Sequence, residues 1–183
     1  MTKAEMRKQL IKKRLHLAPA LVYSKSLKIT GNLLNRGLLK GSQKILIYLP
    51  VGNEVDTNVL LQKLVKDGKM LFLPSYKNKG WVVSKYNPAQ PLAKAFGDVM
   101  QPQKVKFFDS GNLDAAIVPG VAFSKNGVRL GFGLGVYDKL LADSSAVKIG
   151  LCYDFQVIDS LVPESHDVKM NYVVSEDEIF KAI

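Results

Sequence analysis

The sequence predicts an α/β fold: one domain over residues 1–183, with helices on both faces of a mostly parallel sheet. Three observations carry that prediction. Two amphipathic helical stretches precede the first strand. A strand, helix, strand succession follows, which closes as a right-handed crossover between parallel neighbours. Later apolar runs of strand length recur with a helix start between them. With 183 residues, 47% of them hydrophobic, the chain can bury a substantial core without staples.

The first helix is read from about Thr2 to Leu17. At about 100° per residue, Lys3, Arg14 and Arg7 fall at roughly 300°, 320° and 340°. Met6, Leu10 and Leu17 border that stripe on one side and Ala4, Ile11 and Leu15 on the other, while Glu5, Lys8, Gln9, Lys12 and His16 take the opposite face. The three cations therefore lie on the side turned toward the protein. A second amphipathic stretch runs from about Ala20 to Arg36 and ends near Gly37 and Gly41. Lys44 to Leu49 is a continuous apolar run of strand length. Asp56-Thr57-Asn58 offers capping side chains for a helix from Val59 to Lys66, Asp67-Gly68 closes it, and Met70 to Leu73 is a second buried strand.

Residues 74–112 hold Pro88, Pro91, Gly97 and Pro102 around one short strand, Trp81 to Tyr86, and read as an excursion at the sheet edge. The buried pattern resumes at Asp114 to Pro119, with a strand from Val118 to Phe123. Val147 to Leu151 is another such run, and a helix begins near Tyr137 between them. Tyr172 to Ser175 reads as a short last strand and Glu176 to Phe180 as a final helical turn or two.

Charge narrows the function classes. The net charge is +10, and through Lys44 the chain holds 11 Lys or Arg against Glu5 alone, whereas from Ile45 on 15 basic residues meet 15 acidic ones. Such a block suits a nucleic-acid arm, a membrane-surface helix, a transit peptide, a solvated face or half of a site for a highly anionic small molecule. Basic stems that snorkel past an apolar face are the commoner use of such a stripe. The functional alternative is that Lys3 and Arg7, one turn apart, point two cations at a bound phosphate chain. No apolar run approaches the roughly 18 residues of a spanning helix, and the N-terminus is charged where a signal peptide is apolar. The lone Cys152 allows no internal bridge, so a reducing, cytoplasmic setting is expected.

The glycine segment Val128-Arg-Leu-Gly131-Phe-Gly133-Leu-Gly135-Val-Tyr137-Asp138 follows an Asn126-Gly127 turn and leads into a helix. Alternating glycines leave backbone N–H groups open to an anion, and a helix start adds its positive end. The spacing is neither that of the GxxxxGK[ST] loop nor that of GxGxxG, and a plain chain reversal is the other reading. Arg129 can neutralise phosphate oxygens and Asp138 can meet the magnesium that accompanies ATP, or the two can simply pair with each other. His16 and His166 have no second His or Cys nearby, so no zinc site is expected, and no GxSxG elbow is present.

Assembled, these residues resemble the 5-formyltetrahydrofolate cyclo-ligase family. The resemblance runs through Lys3-Ala-Glu-Met-Arg7, Ile47-Tyr-Leu49-Pro-Val-Gly-Asn-Glu54-Val-Asp-Thr57, Ile117-Val-Pro119-Gly120-Val-Ala-Phe123, the glycine segment, and Pro163-Glu-Ser-His166-Asp167. It implies a three-layer α/β/α sandwich and an ATP- and magnesium-dependent closure of 5-formyltetrahydrofolate to 5,10-methenyltetrahydrofolate, with ADP and phosphate released. It implies ATP contacts at Lys3, Ala4, Glu5, Met6 and Arg7 and at Arg129, Leu130, Gly131, Phe132, Gly133, Leu134, Gly135, Val136 and Tyr137. Folate contacts are implied at Leu49 and Glu54 and along Phe132 to Val136, magnesium at Asp138 and Asp167, and catalytic roles for Arg129 and Glu54. A cytoplasmic monomer is expected, acting on folate with or without a polyglutamate tail and having no nucleic-acid or membrane partner. Leu134, Val136 and Asn171 depart from the residues usual at those places. The alternatives are a basic nucleic-acid-binding protein, whose affinity falls steeply with salt, and a sugar-phosphate isomerase or CoA-transferase-like enzyme that needs no ATP.

Overall fold

The computed structural model describes residues 1–182. In chain order the helices and strands are α1 (Lys3–Leu15), α2 (Pro19–Asn35), β1 (Lys44–Leu46), α3 (Asn58–Lys66), β2 (Met70–Lys77), β3 (Gly80–Tyr86), β4 (Leu92–Lys94), β5 (Met100–Pro102), β6 (Phe107–Phe108), β7 (Ala115–Pro119), β8 (Ala122–Ser124), β9 (Arg129–Leu130), α4 (Val136–Leu140), β10 (Val147–Leu151), β11 (Val157–Ile158), β12 (Tyr172–Val174) and β13 (Ile179–Lys181).

The main sheet has the order β13-β12-β10-β7-β1-β2-β3-β6. Its five central strands pair in parallel, and antiparallel strands close both edges. One face packs on α2 and α3 through Ile29, Leu33, Leu60 and Leu64, all essentially inaccessible, and each contributes about 1.5–3 kcal/mol by leaving water. The other face, with Leu46, Phe72, Ala116, Val118 and Val173, is covered by Tyr137 and Leu140 of α4 and by Leu141 just after it. The sheet thus has helices on both faces, as the sequence predicts, though the second helical layer is one short helix.

Helix α1 joins neither layer. Met6 and Leu10 pack on Ala122, Val128, Leu130 and Leu161, around the small β11-β8-β9 sheet. Its start is set by a capping box: Glu5 N–H donates to Thr2 Oγ1 and Thr2 N–H to the Glu5 carboxylate. Lys12, Lys13 and Arg14 in the last turn suit the negative end of the helix. At α3 the cap comes from a different side chain than the position suggests. Thr57 Oγ1 donates to Tyr48 O at 2.6 Å, and Asp56 Oδ1 accepts from Asn58 N–H at 2.9 Å.

Three sequence expectations are corrected. The stretch from Pro74 is not all excursion: β2 continues to Lys77 and turns back as β3 through Asn78 and Lys79, both at positive φ, 52° and 61°. Two left-handed residues are what a tight hairpin requires, and only the absence of an Asn-Gly pair hides it in sequence. The expected strand from Val118 to Phe123 is split between two sheets at Gly120, where a Cβ would sit 2.6 Å from the Phe123 ring and where Gln156 Nε2 donates to the Gly120 and Val121 carbonyls. The expected last helix is instead strand β13. Ser175 Oγ accepts from the N–H groups of Asp177 and Glu178, as at a helix start, but Ile179 to Lys181 pair with the edge of β12, and that pairing decides the outcome.

Candidate functional site

Strands β1 and β7 are neighbours, and the chain leaves β1 toward β2 before returning to β7 on the other side. That reversal opens a crevice beyond the carboxyl ends of the two strands, the usual ligand position in such sheets. A cleft of about 440 Å³ lies there. Its lining divides by chemistry into a charged wall and an apolar one.

The charged wall joins α1 to the glycine loop. Arg7 Nε donates to Gly131 O at 2.8 Å, and Lys3 Nζ donates to Glu164 Oε1 at 2.8 Å. The inward side of the predicted stripe is thus the observed one. Gly133 and Gly135 hold φ of 99° and 62°, which side chains rarely adopt, and Gly135 opens α4, a helix of only 5 residues. Arg129 Nη2 donates to Asp138 Oδ2 at 2.7 Å, and the two side chains are nearly buried. The Arg129 guanidinium carbon stands 5.5 Å from the Tyr137 ring centre, and the Arg129 Nε is buried without a partner among the described residues.

The apolar wall is built from Tyr48, Leu49, Val51, Pro74 and Trp81, with Phe96, Val99 and Met100 supplied by the β4–β5 ribbon and its turn. Tyr76, Trp81 and Phe96 cluster with ring centres 5.5–6.4 Å apart. Among the described residues Glu54 is the one acid set into this wall, 6% exposed. Its Oε2 accepts from Val51 N–H at 3.0 Å, and Arg14 Nη1 stands 3.8 Å from Oε1. Burial pushes the Glu54 carboxyl above its usual range, and the Val51 amide and Arg14 pull it part of the way back. The loop that carries it is pinned three ways. Tyr48 Oη donates to Val55 O at 2.9 Å, Tyr153 Oη donates to Glu54 O at 3.1 Å, and Asn53 Nδ2 donates to the Arg14, Leu15 and Leu17 carbonyls at the end of α1.

Most of the sequence-predicted site residues line this one cleft: Lys3, Arg7, Leu49, Glu54, every position from Arg129 to Asp138, and Asp167. Ala4, Glu5 and Met6 do not. Ala4 and Glu5 are exposed, with the Glu5 carboxylate engaged by the helix cap, and Met6 packs beneath the small sheet. Trp81 faces the cleft, whereas Tyr86 packs against the main core. Sequence reasoning passed over Glu164, Phe96, Val99 and Met100 and gave Arg14 no role. For the ribbon residues the only available signal was the length of the aperiodic stretch, which is itself a mark of a functional loop.

Among the described residues no group of three His, Cys, Asp or Glu side chains could hold a metal ion. Magnesium needs fewer, because phosphate oxygens and water complete its shell. Asp138 is already engaged at both oxygens, by Arg129 and by Val168 N–H at 3.2 Å. Asp167 accepts Glu164 N–H at Oδ2, and its Oδ1 stands 3.9 Å from His166 Nε2 and accepts no hydrogen bond from the described residues. The donor set therefore fits a magnesium carried on a polyphosphate, with Asp167 the freer carboxylate. No described helix is long and apolar enough to cross a membrane.

The family model described as 5-formyltetrahydrofolate cyclo-ligase matches residues 1–176. A relative in Mycolicibacterium smegmatis named 5-formyltetrahydrofolate cyclo-ligase is 29% identical over 183 aligned positions, covering 95% of this chain and 93% of the relative. A mouse protein of the same name is 28% identical, covering 83% and 82%. Among solved structures, Aquifex aeolicus 5,10-methenyltetrahydrofolate synthetase superposes with a TM-score of 0.88 at 32% identity, covering 99% of this chain and 93% of that one. The Mycoplasma pneumoniae synthetase gives a TM-score of 0.77 at 26% identity, covering 96% and 99%.

Proposed function

Because the chain belongs to the 5-formyltetrahydrofolate cyclo-ligase family, we propose that it closes 5-formyltetrahydrofolate to 5,10-methenyltetrahydrofolate with ATP as phosphoryl donor, as a single-domain, monomeric, cytoplasmic enzyme. The observation that carries this reading is the double character of the one cleft: cations and bare glycine backbone along one wall, and an aromatic and aliphatic wall with a single buried acid along the other.

A formamide on nitrogen 5 is a poor electrophile, and its oxygen is a poor leaving group. Transfer of the γ-phosphoryl group to that oxygen breaks the bond to ADP and makes the formyl carbon iminium-like. Nitrogen 10 then attacks, the carbon–oxygen bond breaks, phosphate departs, and nitrogen 10 gives up its proton. Such a sequence asks the protein for positioning and charge stabilisation. Lys3 and Arg7 are assigned to the triphosphate, and the glycine loop from Gly131 to Gly135 to its close backbone approach. Arg129, oriented by Asp138, is assigned to the charge that develops on the transferred group. Glu54 accepts hydrogen bonds from the pterin, and Leu49, Trp81 and Phe96 cover its faces. Magnesium, which neutralises phosphate charge when bound, is assigned to Asp167, with Asp138 beside it.

The test is a spectroscopic assay of purified protein with 5-formyltetrahydrofolate and magnesium-ATP, read as growth of the methenyl absorbance with equal ADP formed. Arg129→Ala is expected to lower kcat by about 100-fold or more, Lys3→Ala to raise the KM for ATP, and Glu54→Gln to raise the KM for folate. Turnover that proceeds without ATP, or no turnover alongside salt-sensitive binding of RNA, overturns the proposal.

A further inference from the structure

Arg14 has no part in the reaction as derived above, yet it is the most enclosed cation of α1, 3% exposed. Its guanidinium touches three elements loosely. Nη1 lies 3.8 Å from Glu54 Oε1 and 3.5 Å from Gly120 O just past β7, and the guanidinium carbon stands 5.3 Å from the ring centre of Phe132 in the glycine loop. Nε is buried with no partner among the described residues. Burying a guanidinium is costly, and an apolar side chain of similar volume often serves stability as well or better. A buried arginine with its donors only partly matched is therefore poorly explained as a staple.

The groups around Glu54 indicate what it does instead. From α1 the carboxylate faces Arg14, from its own loop the Val51 N–H, from the segment after β1 the Tyr48 phenol, from α4 Tyr137, and from the segment after β10 Tyr153, whose hydroxyl is spent on the Glu54 carbonyl. Among the described residues, Arg14 is the one cation within ion-pair distance of this acid. Phe132 lines the cleft and shares the same guanidinium.

We infer that Arg14 is a positioning residue acting through Glu54 and Phe132: it pairs with the buried carboxylate and holds the glycine loop's aromatic ring beside it, so one side chain sets both sides of the folate seat. The inference rests on the reading of Glu54 as the acid that holds the folate ring. Removal of Arg14 leaves desolvation less opposed, so the Glu54 carboxyl moves further up and stays protonated over a wider acidic range.

The experiment follows the Glu54 side-chain carboxyl by carbon-13 NMR in protein labelled at glutamate, with Glu54→Gln identifying its resonance. Wild type, Arg14→Gln, Arg14→Met and Arg14→Lys are titrated with pH. The midpoint is expected to rise by about one pH unit or more in the Gln and Met variants and to return most of the way in Lys. In parallel, the acid limb of kcat/KM for folate moves to higher pH by the same interval, while the KM for ATP stays within about twofold. Arg14→Met replaces a Gln variant that fails to fold, because it puts no polar group at position 14 itself. A midpoint that does not move in a folded neutral variant overturns the inference even if activity falls. A midpoint that moves in a protein that never turns folate over supports the charge relation and overturns only the functional reading.

Discussion

Along the charged wall of the cleft Lys3 meets Glu164 with side chains 32% and 57% exposed, whereas in the apolar wall Arg14 meets Glu54 at 4% and 7%. Both pairs start from the same face of the same helix. The first is hydrated, easily exchanged, and set beside a loop whose glycines carry no side chains. The second is dry and held by a loop with fixed hydrogen bonds to Tyr153 and to the end of α1. On the proposed reading, an incoming polyphosphate would bring charge enough to displace an exposed carboxylate from a lysine, so that wall would need open backbone and mobile cations. A neutral ring system brings little charge, so its seat has to be shaped beforehand. The two walls should therefore answer differently to substitution: the charged one in ATP kinetics, the apolar one in folate kinetics and stability.

The largest effect is expected at Gly131. A Cβ there would sit 2.6 Å from Arg129 Nη1, the far end of a flexible side chain, so the backbone need not move but the guanidinium must. A displacement of this size costs about 100-fold in turnover. Gly131→Ala is thus predicted to lower kcat by about two orders of magnitude with a thermal midpoint near that of the parent. Gly150→Ala is its counterpart in the core, where the added carbon would fall 2.4 Å from the Phe123 ring, and overpacking is expected to cost about 1–3 kcal/mol. Kinetics and thermal melts on the two variants separate the cases, and a Gly131→Ala protein as unstable as Gly150→Ala would remove the openness ascribed to the charged wall.

Tyr153→Phe gives a smaller effect, confined to the other wall. It deletes the hydroxyl that donates to Glu54 O and leaves a buried carbonyl short of a partner, at about 1 kcal/mol. The KM for folate is predicted to rise about fivefold while the KM for ATP stays level, and denaturant unfolding should show the loss of stability.

How much of this was legible in sequence follows the same division. The charged wall was largely readable, because helical phase put Lys3 and Arg7 on the inward stripe and the glycines mark themselves; in the fold Arg7 Nε reaches Gly131 O. The central strands were readable as well, since buried parallel strands are continuous apolar runs, and Val147–Leu151 is observed as predicted. The apolar wall was not. Phe96, Val99 and Met100 sit on a small ribbon with no period to read, and Glu54 shows its burial only once Tyr153, distant in sequence, closes over its loop. The strand at the end of the chain was lost to local chemistry, because Ser175 makes the contacts of a helix start while pairing with β12 decides the outcome. Asp138 was read two ways from sequence, and its geometry favours the bridge to Arg129.

The smallest effect sharpens the comparison through salt. On the proposed reading Glu164 is the carboxylate that a triphosphate would displace from Lys3, and that ammonium holds the Glu164 carboxyl below its usual range, so the pair persists further into acid. Glu164→Gln keeps the shape and removes the charge, which leaves Lys3 free for the nucleotide. The KM for ATP is predicted to fall about twofold at low ionic strength, a modest change because exposed pairs are weak. Raising the salt toward about 1 M shortens the screening length to roughly 3 Å and should erase that difference. The Arg14 and Glu54 pair, shielded from solvent, should keep its influence on folate kinetics through the same salt series. Equal salt sensitivity at both positions would mean that the cleft has one electrostatic environment rather than two.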